Sequence, residues 1–93
     1  MTPDKVREVI ARYRELLESN GYIPEPHPHN VPHISTNKAM DHCLSMLSKM
    51  ELFLDEGRFE KTFRWLGFVQ GYMWANRMFT LEDLKNHNRP DEE

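Results

Sequence analysis

Residues 58–79 read RFEKTFRWLGFVQGYMWANRMF, and this stretch decides the fold class. Apolar side chains fall on nearly every side of a helix drawn through it, and such a helix is buried on several sides. The run also contains Arg64, Gln70, Asn76 and Arg77. These polar groups are costly inside a bilayer, so we expect a packed helix and no membrane span.

The same helix carries a repeated small face, because Gly67, Gly71 and Ala75 recur every four residues. A small face allows two helix backbones to approach closely. A chain of 93 residues has too little other sequence to cover so apolar a helix on all sides. We therefore expect the protein to assemble as a homo-oligomer.

Three further segments show helical spacing of apolar residues and match helix start and stop signals. The predicted helices span residues 3–20, 37–56, 58–79 and 80–88. Thr2 and Thr80 are the expected N-caps, and Gly57 supplies a tight turn. The prediction is a single all-α domain over residues 1–93. Its core is an antiparallel helical hairpin, with an added N-terminal amphipathic helix and a short C-terminal helix.

Residues 22–36, YIPEPHPHNVPHIST, form a proline-rich and histidine-rich loop that we expect to be extended. Loops of this length are either functional or disordered. His27, His29, His33 and His42 lie close together in sequence. They are solvated loop residues, ligand contacts or metal ligands. Because no thiolate pair or known metal motif accompanies them, we expect neither a metal nor a cofactor.

Two residues beside this loop are candidates for ligand binding. Tyr22 either stacks on the ring of a ligand or anchors the loop. Lys38 lies in the first turn of its helix, where it either helps to bind a phosphate or is simply solvated. Cys43 falls on the apolar stripe of the same helix and is expected to be a buried thiol. No nucleophile elbow, phosphate loop or catalytic pair is present in the sequence, so we predict no enzyme activity.

The overall composition narrows the classes of partner. Twelve Lys and Arg against fifteen Asp and Glu give a net charge of −3, which argues against binding to duplex nucleic acid. A single cysteine fits a reducing compartment. The first ten residues, MTPDKVREVI, are charged throughout, so we expect no signal peptide there and a cytoplasmic location.

Residues 60–76, EKTFRWLGFVQGYMWAN, resemble a family of small phage proteins, anti-CBASS protein 2, which sequester cyclic oligonucleotide signals of bacterial CBASS defence. The resemblance covers about 55 residues, 22–76, and includes the helical hairpin and the proline-rich segment that bears a tyrosine. It implies a helical hexamer with pockets between subunits. It also implies that Tyr22 stacks on a base and that Lys38 engages phosphate.

By this resemblance the protein would be a phage anti-defence protein of the host cytoplasm that binds a nucleotide second messenger without cleaving it. The messenger would be a cyclic oligonucleotide or a cyclic ADP-ribose. Thr36, Asn37 and His33 would complete the hydrogen bonds to the ligand. The N-terminal helix and the C-terminal TLEDLKNHNRP are not part of that family, although similar endings occur in other small phage proteins. The alternatives are direct inhibition of a host protein through a helix surface and a metal-dependent enzyme that uses the loop histidines.

Overall fold

The computed structural model describes residues 1–32 and 35–90. All regular secondary structure in this part of the chain is helical, which confirms the predicted all-helical fold class. The helices are α1 (Pro3–Ser19), α2 (Thr36–Asp55), α3 (Phe59–Ala75) and α4 (Leu81–Asn88). Within the described residues, none of them combines the length and the apolar character that crossing a membrane requires.

Helix α1 begins and ends at the capping signals of its own sequence. The Thr2 side chain accepts a hydrogen bond from the Lys5 amide at 3.1 Å, and Pro3 occupies the first turn. Its apolar stripe is buried, through Val6, Val9, Ile10, Tyr13 and Leu17. The helix ends at Ser19, and Gly21 then takes a φ of 86°, which a residue without a Cβ adopts at little cost.

Helix α2 is the central element, since it contacts both α1 and α3. Ser35 caps it by accepting a hydrogen bond from the Lys38 amide at 3.2 Å. Its buried apolar side chains are Ala39, Met40, Cys43, Leu44, Met46, Leu47, Met50 and Leu54. This stripe is wide because two neighbouring helices cover it.

Helix α3 is buried on one side only. Thr62, Leu66, Val69, Gln70 and Met73 face the interior. Phe59, Phe63, Phe68 and Trp74 remain 38–55% exposed. Trp65 is half-buried against the core, whereas Trp74 is 50% exposed in the single chain.

The end of α3 differs from the prediction. The helix ends at Ala75 and not at Phe79. Arg77 takes a left-handed φ of 63°, and the Met78 amide donates to the Met73 carbonyl at 2.9 Å, as in a helix-terminating turn. This turn redirects the chain, so that Met78 and Phe79 pack against the core.

Helix α4 is fastened to the bundle by a buried polar network of Tyr13, Gln70, His87 and Asn88, which we call the Tyr13 network. The Tyr13 hydroxyl lies 2.7 Å from His87 Nδ1 and accepts a hydrogen bond from Gln70 Nε2 at 3.1 Å. The Gln70 and Asn88 amides exchange two further hydrogen bonds, at 2.8 and 3.1 Å. The network therefore joins α1, α3 and α4.

Candidate functional site

A cleft of about 310 Å³ lies between the proline-rich loop and helices α2 and α3. We call it the histidine cleft. Its lining residues are His27, Pro28, His29, Val31, Ala39, His42, Cys43, Phe68 and Tyr72. The loop contributes the first four of these residues, and the two helices contribute the rest. Five of the nine lining side chains carry flat, unsaturated rings.

The loop is held in place by two neighbouring residues of α2, Asp41 and His42. The His27 amide donates to His42 Nδ1 at 2.9 Å. The Ile23 amide donates to a carboxylate oxygen of Asp41 at 3.1 Å, and the Glu25 amide donates to the Asp41 carbonyl at 3.3 Å. Three backbone donors of the loop are thus satisfied by one turn of α2, so the loop follows this helix closely.

His27 also stabilises the loop from within. Its Nε2 lies 2.8 Å from the Val31 carbonyl. Because a carbonyl oxygen can only accept, Nε2 carries the proton in this contact. The His27 ring therefore closes a short turn over residues 27–31 and forms part of the cleft wall.

The electrostatics of the cleft favour neutral groups. Burial lowers the pKa of His42, and the neighbouring His29, His27 and Lys49 lower it further. Neutral His42 accepts at Nδ1 and so carries its proton on Nε2. Burial raises the pKa of the Cys43 thiol to about 12. At neutral pH the cleft therefore contains an uncharged imidazole and a protonated thiol, and Cys43 is not an activated nucleophile.

The cleft does not assemble its histidines as a metal centre. The His29 and His42 rings lie edge to face, with their centroids 6.5 Å apart. Across residues 1–32 and 35–90, no group of three or more His, Cys, Asp or Glu residues could hold a metal ion. The cleft is better described as a slot lined by rings, with a few hydrogen-bonding edges.

Among the described residues, the predicted site residues Tyr22, Thr36, Asn37 and Lys38 do not line this cleft. Tyr22 is half-buried, and its hydroxyl donates to Asn37 Oδ1 at 3.3 Å, so these two predicted residues do meet. The Thr36 hydroxyl donates to Asn76 Oδ1 at 3.2 Å, at the end of α3. His33 lies outside the described residues.

Lys38 lines a second hollow of about 230 Å³, on the other side of the loop from the histidine cleft. The two hollows share His27, Pro28 and Val31 as a common wall. Glu25 and Asp41 line the second hollow together with Lys38. Two carboxylates beside one ammonium group weaken its attraction for a phosphate.

The sequence did signal the cleft residues, but not their assembly. The concentration of histidines was visible, whereas the wall built by Ala39, Cys43, Phe68 and Tyr72 depends on how α2 and α3 pack. Ala39 and Cys43 are four residues apart and therefore share one helix face. This shared helix face next to His42 was the sequence feature from which the cleft wall could have been predicted.

Comparison of the chain with protein-family models, with curated proteins and with solved structures gives no match.

Proposed function

We propose that the protein binds a nucleotide immune second messenger in the histidine cleft and sequesters it without cleaving it. The observation that carries this proposal is the slot of about 310 Å³ whose walls present five rings. Stacking of a base on an aromatic side chain contributes about 1–3 kcal/mol. A ring-lined slot therefore suits a planar heteroaromatic group better than an aliphatic or strongly charged one.

The cleft also offers hydrogen-bonding edges for such a base. Neutral His42 presents an Nε2–H donor, because its Nδ1 is already occupied by the His27 amide. A donor fixed by a second hydrogen bond holds its ring in one orientation. Base edges carry both acceptors and donors, so one fixed imidazole adds orientation to the stacking energy.

The size of the cleft indicates how much of the ligand one chain holds. Small-molecule sites range from about 300 to 1,000 Å³, so a cleft of about 310 Å³ is at the lower limit. This volume suits one nucleobase with its sugar. We therefore propose that a cyclic dinucleotide occupies two clefts, one from each of two subunits of a homo-oligomer. In this proposal α2 and α3 form the antiparallel hairpin on which the cleft is built.

The roles of Tyr22 and Lys38 follow from their positions. Tyr22 makes its hydrogen bond to Asn37 and packs against the core, which supports the anchoring role more than the stacking role. Lys38 is exposed across the loop from the cleft, where it would meet the phosphate of a ligand that passes the loop. We propose that the cleft rings supply most of the affinity and that Lys38 adds a smaller, salt-dependent term.

Sequestration without cleavage is consistent with the chemistry of the cleft. Hydrolysis of a phosphodiester needs an activated nucleophile or a base close to the phosphorus. The Cys43 thiol is protonated at neutral pH because its pKa is about 12. We therefore expect a bound messenger to be recovered intact.

Native mass spectrometry with cyclic dinucleotides, cyclic trinucleotides and cyclic ADP-ribose isomers tests the proposal. One of these ligands should be retained, and it should be released unchanged on denaturation. Phe68→Ala should then weaken binding by roughly 5-fold to 150-fold, the equivalent of one stacked base. Phe59→Ala is the matched control, because Phe59 is an exposed ring on the same helix that does not line the cleft.

Tyr22→Ala separates the two possible locations of the site. A large loss of affinity with Tyr22→Ala and none with Phe68→Ala would place the ligand at the tyrosine and contradict a site in the cleft. Retention of no ligand from the panel would overturn the proposal, and recovery of a hydrolysed product would overturn sequestration.

The second candidate function is inhibition of a host protein by direct contact through a helix surface. The observation that favours it is the set of aromatic side chains on α3, Phe59, Phe63, Phe68 and Trp74, that stay 38–55% exposed. This function needs no cleft. It would gain support if the protein bound none of the nucleotides and formed a stoichiometric complex with a purified host enzyme.

A further inference from the structure

We infer that the exposed face of α3 binds the same face of a second copy, with the two helices antiparallel and crossing between Gly67 and Gly71. We call this surface the α3 face, and it consists of Phe63, Arg64, Gly67, Gly71, Trp74 and Ala75, with Phe68 at its edge. The inference concerns assembly, which is measured on the protein without ligand. Loss of the dimer would still allow binding of a ligand to a single cleft, and mass spectrometry would judge that binding separately.

The α3 face leaves unusually large apolar groups in solvent. Phe63 is 38% exposed, Phe68 55% and Trp74 50%. With about 150–250 Å² for each aromatic side chain, these three leave roughly 300 Å² of ring surface uncovered. An apolar surface of this size is comparable to the largest patch of a typical monomer, which is often an interaction site.

The two glycines of the face border open space in the described part of the chain. A Cβ added at Gly67 or Gly71 would meet nothing within 4 Å. Glycine inside a helix costs conformational entropy, and no contact of the described chain explains this cost. In a pair of crossing helices the same glycines leave a shallow groove, which allows the backbone of the second helix to approach.

The pattern of large and small residues fits an antiparallel pair. A two-fold axis between Gly67 and Gly71 places Phe63 of one copy opposite Ala75 of the partner subunit. It also places each glycine opposite the other glycine. Large side chains then meet small ones, as close packing requires. In a parallel pair each Phe63 would instead face another Phe63.

The charges of the face select the same orientation. Arg64 forms a salt bridge with Glu60 at 3.1 Å in its own helix. The antiparallel arrangement places Arg64 opposite Trp74 of the partner subunit, where a guanidinium group is attracted to the indole face. A parallel arrangement would bring two Arg64 side chains together, and their like charges would repel.

The area of the face predicts the strength of the dimer. A stable interface buries about 800 Å² on each partner. The rings supply roughly 300 Å² of this, and the glycines, Ala75 and the stem of Arg64 add a smaller area, so the interface stays below the size of a stable one. We therefore expect reversible, concentration-dependent dimers and not an obligate complex.

Sedimentation equilibrium over a series of protein concentrations tests this interface. The wild-type protein should dimerise reversibly, and Trp74→Ala should raise the dimer dissociation constant at least about ten-fold. Phe59→Ala should change it less than about two-fold, since this exposed ring lies off the α3 face.

Substitution of the two glycines provides a sharper test. An α3 face in solvent and an α3 face covered by a second copy predict different changes in dimer affinity. If the face stays in solvent, Gly67→Ala with Gly71→Ala stabilises the helix and leaves the molecular mass unchanged. If the second copy lies there, the same change raises the thermal unfolding temperature of the dilute monomer but weakens the dimer by about ten-fold or more.

The orientation is tested by disulfide cross-linking. Cys43 is 1% exposed, so it does not compete with thiols introduced on the surface. Phe63→Cys protein mixed with Ala75→Cys protein should form a mixed disulfide much faster than either variant alone. A wild-type protein that is monomeric up to its solubility limit would overturn the inference. So would a dimer that Trp74→Ala and the glycine variant leave unchanged.

Discussion

Two segments lie outside the packing of α1, α2 and α3, namely the proline-rich loop and helix α4, and a histidine makes one of the hydrogen bonds that hold each of them. His42 accepts a hydrogen bond from the His27 amide of the loop at 2.9 Å. His87 of α4 lies 2.7 Å from the Tyr13 hydroxyl through its Nδ1. The two contacts are comparable, since in each the Nδ1 atom of an imidazole takes part in a hydrogen bond to another element.

The two histidines differ in how deeply their side chains are buried. His87 is 6% exposed, and its ring packs edge to face on Phe79 at 4.7 Å. His42 is only half-buried, and most of the loop it holds is exposed. We therefore expect helix α4 to unfold together with the core and the loop to open locally. Such local opening would give a ligand access to the cleft without unfolding of the bundle.

The strongest test of this comparison is Tyr13→Phe. It removes the hydroxyl that serves both His87 and Gln70, and leaves two buried polar groups without that partner. We expect the free energy of unfolding to fall by about 2–3 kcal/mol, as measured by urea denaturation. Tyr22→Phe is the matched control, because it removes one exposed hydrogen bond of 3.3 Å and should cost under about 0.5 kcal/mol. Equal losses in the two variants would contradict the comparison.

A fall in pH should weaken the contacts that His42 makes with the loop and that His87 makes with Tyr13. Burial is the main cause of the lowered pKa of His42 and of His87, so the unfolded chain binds more protons than the folded one. The stability from these groups is complete above the ordinary histidine pKa of about 6.5, and it is lost as the pH falls from there through their lowered values. Urea denaturation at intervals between about pH 7.5 and pH 5 measures this, while most carboxylates stay ionised. A flat profile would contradict neutral histidines at both positions.

Removal of the cap of α4 should have a smaller effect. The Thr80 hydroxyl accepts from the Asp83 amide at 3.0 Å, and the Asp83 carboxylate accepts from the Thr80 amide at 2.9 Å. Thr80→Ala breaks half of this capping box and should cost about 1 kcal/mol. If α4 belongs to the cooperative core, amide exchange should accelerate in the rest of the protein as well. Acceleration confined to α4 would show that it opens alone.

The smallest global effect is expected from His42→Ala. The His27 amide loses its acceptor but lies in a loop that water can reach, so we expect a loss of under about 1 kcal/mol. Exchange of the His27 amide should nevertheless accelerate strongly, while the amides of α4 keep their protection. Loss of protection in both regions would mean that the loop and the core open together.

The sequence predicted the helices well because their signals are local. The apolar stripe of α1 is buried as expected, and the caps at Thr2 and Thr80 make the predicted hydrogen bonds. The end of α3 was missed because Arg77 adopts the left-handed conformation that usually signals glycine. The exposure of Trp74 in the single chain agrees with the expectation that 93 residues do not cover α3 on all sides.

The candidate site was harder to predict because it depends on contacts between residues far apart in the sequence. Tyr22 and Lys38 were chosen by residue type and by position near the loop. The path of the loop is set by the contacts of its backbone with Asp41 and His42, between residues 15 or more positions apart. No periodic pattern encodes such contacts. His87 likewise gave no signal in the sequence, although it is buried in the Tyr13 network.

Because the two tryptophans have different surroundings, the intrinsic fluorescence of the protein can report on the α3 face. Trp65 is half-buried, with its ring 4.9 Å from Phe53, whereas Trp74 is 50% exposed. Emission at long wavelength, and quenching by iodide, should therefore come mainly from Trp74. A blue shift of this component with rising protein concentration would follow coverage of the α3 face without any attached dye.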